Sequence, residues 1–142
     1  MTTEPRPELP EHINKLTSRI IEAAMEVHTE LGPGLYERAY RKPIEREFSR
    51  LAVRAEPEVP VPVIYKGELM DDEGYRIDYL VEDTVVLELK SVEAVTRTHK
   101  KQVLTYLRLK QKAVGLLINF NVEHLRDGIY RIIDPRRDLS KL

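Results

Sequence analysis

Apolar residues recur at three- and four-residue intervals early in the chain, as Ile13, Leu16, Ile20, Ala24, Val27 and Leu31. That spacing predicts an amphipathic helix over 13–31, stopped at Gly32-Pro33-Gly34, where glycine and proline break helical continuity. A second stripe of Leu35, Ala39, Tyr40, Ile44, Phe48 and Leu51 predicts a helix over 35–51. Pro43 lies inside it. An interior proline removes one backbone hydrogen bond and clashes with the preceding turn, so a bend or local break is expected there. The period then changes. Residues 53–64 alternate apolar positions with Pro57, Pro60 and Pro62, and proline cannot donate to a ladder, so this is an edge strand. Residues 65–69 read as a turn or strand end, 74–81 as a strand, and Val85-Val86-Leu87-Glu88-Leu89-Lys90 as a buried strand in a hairpin with it. A helix over 96–112 follows, its apolar stripe made by Val103, Leu104 and Leu107. The apolar run 113–120 suits an interior strand, parallel to 85–90 through a β-α-β crossover. A loop at 121–128, a short strand at 129–133 and a charged tail over 135–142 complete the series. Residues 1–12, rich in proline, read as a mobile arm, and 13–134 as one domain.

The strand 85–90 departs from its own apolar pattern. Glu88 and Lys90 are two residues apart, so they share one face. An isolated charge buried in a sheet is costly unless it is paired or bound to a metal. The hairpin loop decides what stands opposite. A two-residue loop of Glu82 and Asp83 sets Asp78 against Leu87, on the wrong face. A three-residue loop that adds Thr84 sets Asp78 against Glu88 on the same face. If the two acids work together, the longer loop or a bulge is expected. Glu37, in the first turn of the second helix, either complements the helix dipole or reaches the same place.

Composition bounds the setting. A chain of 142 residues can bury a sizeable core, and 42% hydrophobic with 33% charged residues suits a globular protein rather than a disordered one. No apolar run approaches the roughly 18–20 residues that span a bilayer, and no apolar signal core follows the polar N-terminus. The chain has no cysteine, which excludes disulfides and thiolate metal sites. The cytoplasm is the expected location. The formal net charge of −1 argues neither for nor against a nucleic-acid partner, since a protein that coats DNA is usually basic but a metal site's carboxylates can cancel basic residues elsewhere. The outer face of the third helix is basic, through Arg97, Lys100, Lys101, Arg108, Lys110 and Lys112. It is a solvated surface, or a DNA track if it borders the carboxylates.

Two acids and a lysine on adjacent strands suit phosphodiester chemistry. Hard divalent cations such as Mg²⁺ take oxygen ligands, often one or two carboxylates plus water and substrate phosphate. A cation on Asp78 and Glu88 would polarise a phosphoryl oxygen and lower the pKa of bound water. Lys90 would orient that water or stabilise charge developing on phosphate.

Asp78, nine intervening residues and then Glu88-Leu89-Lys90 resemble the D…(D/E)xK signature of the PD-(D/E)XK nuclease superfamily. Gln102-Val-Leu-Thr-Tyr106 resembles the QxxxY motif of its RecB-like branch. Gly34-Leu-Tyr-Glu37-Arg-Ala-Tyr40 fits the motif that names the GxxExxY protein family, and the similarity continues through Val27-His28, Tyr65-Lys-Gly67, Arg76-Ile-Asp78 and Gly115-Leu-Leu-Ile-Asn119-Phe120. The proline of the PD element is absent, with Ile77 in its place. The resemblance implies an α/β fold with an αβββαβ core, a mixed central sheet flanked by helices, and a Mg²⁺- or Mn²⁺-dependent site that cuts DNA. It implies that Asp78 and Glu88 are metal ligands, that Lys90 is the catalytic lysine, and that Glu37 completes the metal shell. Gln102 and Tyr106, four apart and so on one helix face, would contact DNA or brace the site, with Arg97, Lys100 and Lys101 beside them.

His28 is either a packed, hydrogen-bonded residue or, by the same resemblance, a metal ligand. His99 shares the face of Gln102 and is a candidate phosphate contact. The alternative to a nuclease is a non-catalytic interaction module that keeps the fold, or a subunit whose partner supplies DNA binding. An oligomer would extend the few phosphate contacts that one small core can make.

Overall fold

Five strands make one mixed sheet in the order β1 (Ala55–Tyr65), β2 (Glu68–Val81), β3 (Val85–Lys90), β4 (Val114–Asn119) and β5 (Ile129–Ile133). The structure is a computed structural model that describes residues 8–142. Helices α1 (Glu11–Leu31) and α2 (Arg41–Arg50) pack on one face of the sheet, and α3 (Arg97–Lys110) on the other. Among the described residues no helix is long and apolar enough to cross a membrane.

Helix α1 buries Ile13, Thr17, Ile20, Ala23, Ala24 and Val27, the stripe that its three- and four-residue spacing dictates, while Leu31 at its end stays exposed. Burying each Ile or Val contributes about 1.5–3 kcal/mol. It starts at Glu11 rather than 13, and Leu9 before it is buried against Ile13, Ala113 and Val114. Of the arm expected over 1–12, residues 1–7 lie outside the described residues.

The single helix expected over 35–51 is two pieces. A turn of 3₁₀ helix at Glu37–Tyr40 precedes α2. The break falls at Tyr40 and Arg41, before Pro43 rather than at it. An α-helix running through would press the proline ring on the carbonyl of Ala39, four residues back. Starting α2 at Arg41 puts Pro43 in the first turn, where a missing N–H leaves no helical bond unmade.

Strand β1 is the proline-bearing edge, as its sequence requires. It turns into β2 through Lys66 and Gly67, both with positive φ (49° and 81°), the two-residue turn that matches strand twist. The ribbon is paired down to that turn, so β2 begins at Glu68 rather than at 74. Strands β3 and β4 run parallel from Val85↔Val114 to Lys90↔Asn119 across the α3 crossover, and β5 pairs antiparallel with β4. Strand β4 is buried throughout, between the α1/α2 core and the α3 core.

Candidate active site

The hairpin between β2 and β3 sets the register of the site. Its loop has three residues, Glu82, Asp83 and Thr84, closed by Thr84 N–H donating to Val81 O at 2.9 Å. Val81 therefore pairs with Val85 and Tyr79 with Leu87, and the next position brings Asp78 opposite Glu88. There the backbone ladder stops and the two carboxylates take it over. Asp78 N–H donates to Glu88 Oε1 at 3.0 Å, and Leu89 N–H donates to Asp78 Oδ2 at 2.8 Å. Each acid satisfies a backbone donor of the other's strand, which holds both side chains at the point where the strands part.

Glu88 is only 5% exposed. Burial, then the Asp78 charge beside it, pushes its carboxyl up to about 8, and the two carboxyls lie near enough to share a proton. Glu37 is also raised, by burial first and then by Asp78, with Lys90 and Arg41 opposing. The 3₁₀ turn thus brings the helical acid within electrostatic reach of the strand acids and of the lysine at the end of β3. Among the described residues, however, no three or more His, Cys, Asp and Glu side chains are grouped closely enough to hold a metal. The close acids are the pair Asp78 and Glu88, with Glu37 standing off.

A further charged group, Arg41, which the sequence did not single out, joins Asp78 to a fourth acid. Its guanidinium donates to Asp78 Oδ1 at 3.2 Å and pairs with the carboxylate of Glu58. Glu58 lies between the register pairs Pro57↔Tyr79 and Val59↔Ile77, so it stands opposite Asp78. Glu58, Asp78 and Glu88 therefore form one row across β1, β2 and β3. Strand alternation slips at this row. Ile77 and Leu80 pack beneath α3, whereas Tyr79 and Val81 pack beneath α1 and α2. Glu58 takes a φ of 52° there. Arg41 also lies over the Tyr79 ring at 5.2 Å, and the Tyr79 hydroxyl donates to Glu45 Oε2 at 2.8 Å. The signal for Arg41 was its place next to Tyr40. Glu58 had none, because proline-flanked glutamates read as exposed edge residues.

Tyr40 also does more than its place in an apolar stripe suggested. Its ring stacks on Phe120 at 4.3 Å and 9°. Its hydroxyl donates to Gly32 O at 2.7 Å and accepts from Leu35 N–H at 3.2 Å. That clamps the Gly32–Leu35 loop, in which Gly34 has a φ of 98°, and the Ser91 hydroxyl ties Leu35 O to the residue after Lys90 at 2.6 Å. The loop that carries Glu37 is thereby anchored to the end of β3.

Helix α3 contributes selectively. Tyr106 is buried, and its phenol is pushed up to about 12 by burial and then by Glu88 and Asp78, so it faces the carboxylates. Gln102 is half-buried on the same helix, and its side chain makes no hydrogen bond among the described residues. Arg97 and Lys101 are exposed, while Lys100 lies over the Tyr130 ring of β5 at 4.5 Å, toward the other edge of the sheet. The basic face is therefore split rather than gathered on the acids. His99 caps α3, its Nδ1 accepting from Thr96 N–H at 3.0 Å, and so is engaged locally. His28 bonds Val122 O through Nε2 at 2.8 Å and packs near Phe120, as a core histidine does.

Two facing carboxylates, one of them too buried to ionise readily, call for either a shared proton or a cation between them. Their oxygens suit a hard divalent ion, which needs few protein ligands when water and phosphate supply the rest. The Asp78–Glu88 pair fits such an ion. A family model described as PD-(D/E)XK nuclease superfamily matches residues 14–132. No curated protein matches the chain.

Proposed function

Since the chain belongs to the PD-(D/E)XK nuclease superfamily, whose members are typically nucleases that use divalent metal ions, we propose that it is a Mg²⁺- or Mn²⁺-dependent nuclease hydrolysing DNA phosphodiesters by water attack. The observation that carries this reading is the buried, facing pair Asp78 and Glu88, with Lys90 on the same strand face as Glu88. Asp78 and Glu88 would hold the ion. When bound, it supplies polarisation of the phosphoryl group and acidification of water. Lys90 places an ammonium beside the acids, where it orients the attacking water and offsets charge growing on phosphate. Glu37 adds a third carboxylate within electrostatic reach of Asp78. Tyr106 keeps its proton well above neutral pH and so presents a hydroxyl donor behind the acids. Gln102 lies one turn earlier on α3, in position to contact DNA. The clamp that Tyr40 makes on the Gly34 loop supports a finer placement in the GxxExxY family, and Gln102 with Tyr106 supports the RecB-like branch.

Cleavage of labelled linear and circular DNA with Mn²⁺ or Mg²⁺ tests the proposal. Cutting should need the metal and be lost in Lys90→Ala and Asp78→Ala, and the circular substrate separates endonuclease from exonuclease action. Equal cutting by wild type and both variants would sink the assignment.

One observation favours a second reading, a binding module that retains the fold. Arg41 already neutralises part of the acid row, with no metal required. The two readings part on Mn²⁺: a metal-binding site raises the melting temperature in an Asp78-dependent way, and an adaptor does not respond.

A further inference from the structure

We infer that the cleft beside Glu37 is a subsite for one unpaired nucleotide, with Tyr36 as its stacking platform and Arg38 as its phosphate contact. The inference rests on the nuclease reading for its substrate class and goes beyond it in naming a single-stranded segment and the residues that hold it.

Tyr36 is 83% exposed, far above the other large apolar side chains among the described residues, whose exposure does not exceed 60%. Its ring makes no side-chain hydrogen bond or ring contact among the described residues. An aromatic ring left in water normally lies on a mobile loop, but this one does not. Tyr36 O accepts from Ala39 N–H at 2.9 Å. Leu35 before it is tied to Ser91 and to the Tyr40 hydroxyl. The backbone is fixed on both sides and the ring is free, which is the arrangement that lets a face bind with little ordering cost.

Tyr36, Glu37, Arg38 and Arg41 line one open cleft of about 570 Å³, of nucleotide size. Arg38 is exposed and forms no ion pair among the described residues. Arg41 reaches from the cleft to Asp78. A base stacked on Tyr36 would thus place its phosphate within reach of the unpaired Arg38 guanidinium, while Arg41 links the cleft wall to Asp78. A base inside a duplex offers no free face to such a ring, so the ligand is an unpaired nucleotide, at an end, flap or gap. Stacking on one aromatic ring tolerates any base.

The chain contains no tryptophan, so Tyr36→Trp introduces a sole indole reporter. In the full-length protein with EDTA present, a short single-stranded oligothymidylate should quench that fluorescence saturably, and a relaxed covalently closed circular duplex, which has no ends, should not. By anisotropy of a labelled oligonucleotide, Tyr36→Ala should weaken binding about tenfold and Tyr36→Phe should restore it. Arg38→Gln should make the dependence of log K on log salt shallower by about 0.7. Oligoribonucleotide and oligodeoxyribonucleotide arms tell which backbone is preferred. Binding without quenching, equal affinity of Tyr36→Ala and wild type, equal quenching by duplex, or no binding at all would each overturn the subsite. Because no metal is present, these outcomes are independent of cleavage. A failed subsite with Lys90-dependent cutting intact leaves the nuclease reading standing, and a bound oligonucleotide with no Lys90-dependent cutting does the reverse.

Discussion

Replacing Glu88 with glutamine should make the metal-free protein more stable at neutral pH, although Glu88 anchors the site. Its carboxyl ionises at about 8 when folded, raised by burial and then by Asp78, against 4.5 for the ordinary group. Between those values the folded protein keeps a proton that the unfolded chain has released, so rising pH favours unfolding. The stability is therefore fully present below the unfolded value and is lost as pH climbs through the folded one, the reverse of an ion-paired carboxylate. Each pH unit inside the window costs about 1.4 kcal/mol at most, so the accumulated cost at pH 7 is on the order of 3 kcal/mol. Glutamine is nearly isosteric. Its amide oxygen can keep accepting the Asp78 N–H now bonded at 3.0 Å, and its NH₂ can donate to the Asp78 carboxylate where two acids now oppose. Urea unfolding of both proteins in EDTA, at intervals from pH 5 to 8, measures the effect. The advantage of Glu88→Gln should widen by about 1 kcal/mol per pH unit, with unchanged denaturant slope. A variant less stable than wild type at pH 8, or a difference that does not move with pH, would refute the account of Glu88 as a carboxyl that resists ionisation.

Tyr40→Phe keeps the stack on Phe120 but loses both hydroxyl bonds to the Gly32–Leu35 loop. It should cost about 1–2 kcal/mol and speed amide exchange of Leu35, which hydrogen-exchange mass spectrometry would show. Gly128→Ala should be the harsher of two glycine changes. Its Cβ would fall 2.2 Å from the backbone oxygen of Asn119, whereas that of Gly115→Ala would meet a Val103 methyl at 2.7 Å. A side chain can yield, at about 1–3 kcal/mol, and a β4 carbonyl cannot, so urea midpoints should rank Gly115→Ala above Gly128→Ala. Asn119→Ala removes the side-chain bonds to Val92 N–H and O, each 3.0 Å, and should loosen the segment after β3 by about 1–3 kcal/mol, read as a lower melting temperature.

The strand that organises the site was legible because its charges contradict its burial: only paired or ligating groups survive in that position. From there the hairpin loop length followed, since one residue more or less sends Asp78 to the other face, and the loop of Glu82, Asp83 and Thr84 is the longer one. The α3 crossover and the strands at 114–119 and 129–133 followed from runs of unambiguous period. What periodicity could not express was what depends on three dimensions. The stripe over 35–51 looks continuous, yet Pro43 forces α2 to begin at Arg41, which turns Arg41 toward Asp78. The Tyr40 hydroxyl is invisible to a pattern that scores tyrosine as apolar. Glu58 sits among prolines that promise only an exposed edge, and it enters the site through a local slip in strand alternation.

That unforeseen pair also explains why the site is uneven. Glu37, Glu58, Asp78 and Glu88 face two cations, Arg41 and Lys90. Arg41 spends its guanidinium on the outer members of the row, Glu58 and Asp78. Glu88, at the inner end and the most buried, gets no such partner, and there the carboxyl is pushed up to about 8. The uncompensated charge is thus not spread over the acids but concentrated between Asp78 and Glu88, where a proton can relieve it below about pH 8 and a divalent cation could relieve it in the proton's place. Two carboxylates in excess of the basic groups match the charge of one Mg²⁺ or Mn²⁺. On this argument Arg41 does not fill the place that a divalent cation would take. By pairing with Glu58 and one oxygen of Asp78, it confines the demand for positive charge to the space between Asp78 and Glu88, within reach of the Lys90 charge.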